Sequence, residues 1–140
     1  MPVLKVSVDM NTVETEFPVL SAGEYLSIYD VPVPVSSKQK KPALQMRLRV
    51  VNPPVNDLNG KPIKPGAKLS FIETVSLDPN APYTLKARLI AARVPYKVVN
   101  GVTEFNSDDF AARQVHTTVS VYEDPQSKRK YNRVESTRPV

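Results

Sequence analysis

The sequence predicts an all-β domain with one helix, in which five short strands roll into a Greek-key barrel and the helix lies between the third and fourth strands. Three observations carry this expectation. Beyond residue 20, five stretches read as strands, most of them with the apolar–polar alternation of a half-buried face. A single stretch, after the third of these, changes to helical spacing. A connector of 16 residues, "NPPVNDLNGKPIKPGA", holds four prolines and two glycines, which excludes helix there.

The 140 residues suit one domain with a single core. Residues 4–10, "LKVSVDM", alternate Leu4, Val6, Val8 and Met10 with Lys5, Ser7 and Asp9. Residues 1–20 therefore read as an extension, either an extra strand or an arm through which copies of the chain associate, and residues 21–140 as the barrel domain. The first strand runs from about Gly23 to Val33, and Pro32 and Pro34 end its regular pairing or place it at an edge. "SSKQKKP" is a polar, basic connector. "ALQMRLRVV" is the clearest strand, with Leu44, Met46, Leu48 and Val50 on one face and Gln45, Arg47 and Arg49 on the other. Asn59-Gly60 signals a turn that can tip a small hairpin. In the third strand, "KLSFIETVSL", Glu73 shares a parity with Leu69, Phe71, Val75 and Leu77.

The helix follows in "DPNAPYTLKARLIAARV", where Asp78 or Asn80 can cap and Pro82 suits the first turn. Leu85, Leu89 and Ala92 define its apolar side, and Lys86, Arg88 and Arg93 read as its solvated side. "NGVTEFNSDDFAAR" reads as a loop with one short helical turn, started by Ser107 and holding Asp108 and Asp109 at its positive end. "QVHTTVSVY" and "RKYNRVEST" complete the strands; Val115, Thr117, Val119 and Val121 oppose His116, Thr118, Ser120 and Tyr122.

Net charge is +5, and the excess is uneven. Up to Glu24 a single base, Lys5, faces four acids, while the rest of the chain carries 18 bases against 10 acids. A basic domain attracts polyanions. Five strands with a helix between the third and fourth is the element order of the OB-fold, where nucleic acid crosses strands 2 and 3 between two flanking loops. On that fold the first loop carries Lys38, Lys40 and Lys41, and the second carries Lys128, Arg129 and Lys130. Arg47 and Arg49 lie on the outward face of the second strand, between them. Taken singly, each basic run reads as a solvated turn; the fold makes them converge.

Single strands also need flat rings under the bases. Tyr131 and Arg133 oppose Val134, and Tyr122 opposes Val121, so these three face out. Tyr25 and Tyr29 share a face opposite Leu26 and Ile28 and are read as outward too. Phe71 can stack only if the third strand turns it outward; its apolar parity argues for the core. For each Tyr the competing reading is an amphipathic cover over the barrel.

The chemistry of enzymes is thinly represented. There is no Cys, hence no thiolate nucleophile or thiolate metal ligand, and the lone His116 sits mid-strand without partners in its pattern. Neither a GxSxG elbow nor a glycine-rich phosphate loop occurs. A non-enzyme without metal or cofactor is expected. No apolar run approaches the roughly 18 residues of a membrane span. "MPVLKVSVDM" lacks the pattern of a secretory signal, so the cytoplasm, of a host if the protein is viral, is the expected location.

"LSAGEYLSIYDV", "KKPALQMRLRVV", the helix-bearing stretch after "FIETVSL" and the closing "KRKYNRVESTRP" together resemble a group of bacteriophage single-stranded-DNA-binding proteins with an OB-fold. The resemblance spans about residues 20–139. It implies a protein that coats single strands without sequence preference during phage replication or recombination, with Tyr131, Asn132 and Arg133 in the closing motif. Replication or recombination proteins would be its partners. Related binders often recruit these through an acidic tail, whereas this chain ends "ESTRPV", which leaves recruitment to the acidic N-terminal segment or removes it. Nothing in the residues separates DNA from RNA. Two other classes fit the same elements: a β-sandwich subunit of a virion or other assembly, and an OB-fold module that binds a protein partner.

Overall fold

The computed structural model describes residues 3–5, 18–36, 40–63, 69–80 and 82–140. The strand-period stretch 4–10 thus falls largely outside the described residues, as does Lys38. Among the described residues the elements run β1 (Gly23–Tyr29), β2 (Val33–Ser36), β3 (Pro42–Val50), β4 (Ser70–Ser76), α1 (Tyr83–Ala91), β5 (Tyr96–Val99), β6 (Val102–Phe105), a 3-10 turn (Ser107–Phe110), β7 (Gln114–Glu123) and β8 (Lys130–Pro139).

The fold is mostly antiparallel β with one helix, as expected, but it has more strands than five and its sheet does not close. The expected first strand is split. β1 pairs with β3 at Tyr29↔Leu48, β2 pairs with it at Val33↔Gln45, and the register slips by one residue between them. Pro32 stands at the slip, where a residue without an N–H cannot continue the ladder. β3 pairs β4 along its other edge, β1 pairs β7, and β7 pairs β8, giving a curved sheet of six strands. β4 and β8 bring Cα atoms within 8 Å but form no ladder, so the sheet stays open there.

The second departure is a hairpin where a loop was expected. Among the described residues β5 and β6 pair only with each other, Lys97 opposite Glu104 and Val99 opposite Val102. Asn100 and Gly101 at its tip both take positive φ, 52° and 75°, the conformation a two-residue hairpin turn demands. The Asn-Gly signal was present in the sequence; its flanking residues lacked a clean alternation. At the other Asn-Gly, a minimal hairpin does form, with an Asn56↔Pro62 bridge and Asp57 accepting from the N–H groups of Asn59 and Lys61, both at 2.9 Å. The 3-10 turn appears where expected, capped by Asn106, whose side chain accepts from Asp108 N–H.

The inner face of the sheet and the helix enclose the core: Met46, Leu48, Val75, Val115, Val119, Leu89 and Phe110 are buried. The parities expected for β3 and β7 hold. The parity expected for β1 does not. Ser27 and Tyr29 point inward, and Leu26 and Ile28 lie half-buried on the outer face. The β1–β7 ladder sets Tyr25 opposite Thr117 and Ser27 opposite Val115, so a strand whose partner buries Thr117 must bury Tyr25, Ser27 and Tyr29 as well. Tyr29 fills space beside Phe110, ring centroids 5.1 Å apart.

Pro82, rather than Asp78 or Asn80, stands at the N-cap of helix α1, and no side chain caps it. Asp78 instead accepts from Asn80 N–H and from Lys41. Arg88 is a further correction: it is buried, not solvated. Its guanidinium grips the Glu73 carboxylate through Nε at 2.9 Å and Nη2 at 2.5 Å. Glu73, out of place on an apolar face by parity, is therefore matched by a cation that the helix brings down onto β4.

Candidate nucleic-acid interface

The outer face of β3 and β4 carries Gln45, Arg47 and Arg49 opposite Thr74, Ile72 and Ser70. Strand pleating sends all six away from the core, and all are exposed. Beyond β4 lies the open side of the sheet. A cleft of about 430 Å³ occupies it, with Ile72, Thr74 and Thr84 on one wall and Tyr131, Arg133 and Glu135 on the other. The Glu73–Arg88 pair borders the same cleft. β8 supplies its wall because Tyr131 and Arg133 pair with Tyr122 and Ser120, the outward residues of β7.

Tyr122 and Tyr131 form a ring pair, centroids 5.0 Å apart and tilted by 51°. They are 40% and 47% exposed, enough to leave ring faces open to a ligand. Arg47, Arg49, Lys128, Lys130 and Arg133 make no salt bridge among the described residues. Of these, Arg133 and Tyr131 line the cleft itself, while Arg47 and Arg49 lie beside it on the outward face of β3.

The turn between β7 and β8 is well built. Asp124 accepts from Gln126 N–H at 2.8 Å, and its own N–H donates to Arg129 O at 2.9 Å. Lys128 takes a left-handed φ of 61°, which swings the chain back into β8. Lys128, Arg129 and Lys130 are all exposed on it.

Other expected residues fall elsewhere. Tyr29 is 1% exposed and cannot meet a base. Its phenol is pushed well above the ordinary value of 10.0, by burial first and by the charge of Glu73 second. Tyr25 packs its ring against Phe71 at 6.0 Å, donates its hydroxyl to Ser21 O, and has its pKa raised by burial. Phe71 is buried, as its parity indicated. Lys41 is tied to Asp78 at 2.8 Å, and that bond holds the Asp78 carboxyl below its ordinary pKa. Lys40 is exposed, with φ 59°.

The two basic turns are not neighbours. β4 and β8 run in the same direction, since each is linked to β1 by two antiparallel pairings. Lys130 therefore lies toward the Ser70 end of β4, while Lys40 and Lys41 lie beyond its Ser76 end, next to Pro42. The turns flank opposite ends of one strand face, separated by the seven residues of β4, or about 20 Å.

Ile72 and Thr74 join this surface with neither a charge nor a ring to mark them in the sequence. Asn132 points the other way from its neighbours. Its side chain accepts from Leu20 N–H and donates to Leu20 O, each at 2.8 Å, and so pins residue 20 to β8. Ile72 and Thr74 were legible by parity opposite Phe71 and Val75. Further along the same outward face of β7, Arg138 holds Glu24 with Nε at 2.8 Å and Nη2 at 2.6 Å, and His116 lies 3.6 Å from the same carboxylate. That hydrogen bond lowers the Glu24 pKa. Among the described residues no cluster of three His or acidic side chains could hold a metal, and no helix is long and apolar enough to cross a membrane. No protein-family model matches this chain, and no curated protein matches it.

Proposed function

We propose that this chain is an open OB-fold that binds single-stranded nucleic acid without reading its sequence. The strand order β4–β3–β1–β7–β8, with the helix between β4 and β7, supports the fold reading. The OB barrel is itself partly open. One observation carries the function: Arg47, Arg49 and Arg133, all unpaired among the described residues, share an outward surface with the Tyr122–Tyr131 rings. Cations neutralise phosphates along a backbone, and rings stack on bases of any identity. The β7–β8 turn extends this surface at one end and Lys40 at the other, so a strand crossing β3 and β4 stays among cations. Strand coating in replication or recombination, which the sequence resemblance implies, is the role this binding would serve.

The experiment is fluorescence anisotropy with single-stranded DNA, duplex DNA and single-stranded RNA at several salt concentrations. The expected slope of log affinity on log salt is about −0.7 per phosphate contact. Arg133→Ala and the pair Arg47→Ala/Arg49→Ala should shallow that slope. Tyr131→Ala should weaken binding by about 1–3 kcal/mol at all salts. Lys86→Ala, on the helix, should do neither. Equal affinity for duplex, or a flat salt response, contradicts the proposal. An assembly subunit or a protein-binding module would show no oligonucleotide affinity at all.

A further inference from the structure

The β5–β6 ribbon has no role in the surface described above. It pairs with no other strand among the described residues, and a lone two-stranded ribbon is marginal in water. One face carries Tyr96, Val98, Thr103 and Phe105; Phe105 meets Phe110 of the body at 6.4 Å, while Tyr96 and Val98 stay exposed. The opposite face carries Lys97, Val99, Val102 and Glu104. Val99 is 43% and Val102 61% exposed, and the Lys97–Glu104 pair, 3.4 Å apart, is open to solvent.

We infer that this face docks against the same face of a second copy of the chain. The argument is one of symmetry and charge. Lys97 stands directly opposite Glu104, and Val99 directly opposite Val102. A two-fold axis parallel to the strands exchanges the two strands of the ribbon. It therefore sets Lys97 on Glu104 of the second copy, Glu104 on its Lys97, and valine on valine. The face is its own complement, as a two-fold interface requires. It is also neutral, whereas the chain as a whole is at +5 and repels its copies elsewhere. The patch is small, so the association is weak and concentration-dependent.

Sedimentation velocity over a concentration series tests this, with thermal melts to verify that each variant stays folded. The wild-type mass should rise from monomer to dimer. Lys97→Glu makes the face wholly acidic and Glu104→Lys makes it wholly basic, so each variant alone should remain monomeric. Mixed together they should form a one-to-one heterodimer, which a loss of the pair within one chain would not produce. Val102→Asp should abolish association and gain nothing from mixing. A wild type monomeric throughout, association that survives both charge reversals, or a mixture that stays monomeric overturns the inference. The monomeric wild type would leave the ribbon to a partner of different sequence. None of these outcomes depends on oligonucleotide binding, so the two proposals stand or fall separately.

Discussion

Glu73 and Arg88 show how one residue can look misplaced until its partner is known. A carboxylate on an apolar strand face is costly to bury alone. The helix brings a guanidinium to it in a two-pronged geometry, with both side chains nearly closed to solvent. Arg88→Ala leaves the charge uncompensated and should lower stability by about 3–5 kcal/mol in urea unfolding. The double change Glu73→Leu/Arg88→Met should recover most of that loss, because two apolar side chains need no partner. Tyr29 gives the second residue-scale prediction. Its hydroxyl and that of Thr137 lie close together in the core, yet neither meets hydrogen-bond geometry. Tyr29→Phe should therefore change stability at neutral pH by no more than about 1 kcal/mol. The phenol is raised in the fold, so its neutral form is favoured there. Stability from this group is intact below about pH 10 and is lost as pH rises beyond it, where the unfolded chain ionises first. Tyr29→Phe should flatten that alkaline decline in a series of thermal melts.

At the scale of elements, the β7–β8 turn separates folding from binding. Lys128 sits in a left-handed conformation that a side chain adopts at a cost of about 1–2 kcal/mol, and glycine adopts freely. Lys128→Gly trades that strain for chain entropy, so stability should stay within about 1 kcal/mol of wild type. If a phosphate is neutralised there, the salt slope should shrink by about 0.7. Asp124→Ala behaves oppositely. It keeps every cation but removes the carboxylate that orders the turn, so both melting temperature and affinity should fall. Asn132 links two further elements. Asn132→Ala strips both hydrogen bonds from Leu20, a buried residue, and should cost about 1–3 kcal/mol. Faster hydrogen exchange at Leu20 N–H is the direct readout.

For the whole molecule, ion pairs fasten distant parts of the chain: Glu24 with Arg138, and Lys41 with Asp78. Both carboxyls are held below their ordinary pKa values. Their contribution is present above the carboxylate range of the unfolded chain and is lost as pH falls through the lowered folded values. Thermal melts of Glu24→Gln and Asp78→Asn should therefore converge with wild type in acid and diverge from it near neutrality. The open side between β4 and β8 is a property of the whole as well. It places one wall of the cleft on each of two strands that never pair, and so brings Arg133 of β8 around to the side where Arg47 stands.

Periodicity alone identified β3, β7 and β8, the lone helix, and the outward placement of Arg47, Arg49, Tyr122, Tyr131 and Arg133, because a strand's alternation records which face meets water. It failed on β1, where Tyr, Ser and Tyr point inward against Leu and Ile, since pairing with β7 outweighed the local pattern. It could not place the β5–β6 ribbon or Arg88, whose environments depend on segments remote in sequence. Nor could it show that the two basic turns stand at opposite ends of one strand face. That follows from register and sheet curvature, which arise only when the strands assemble.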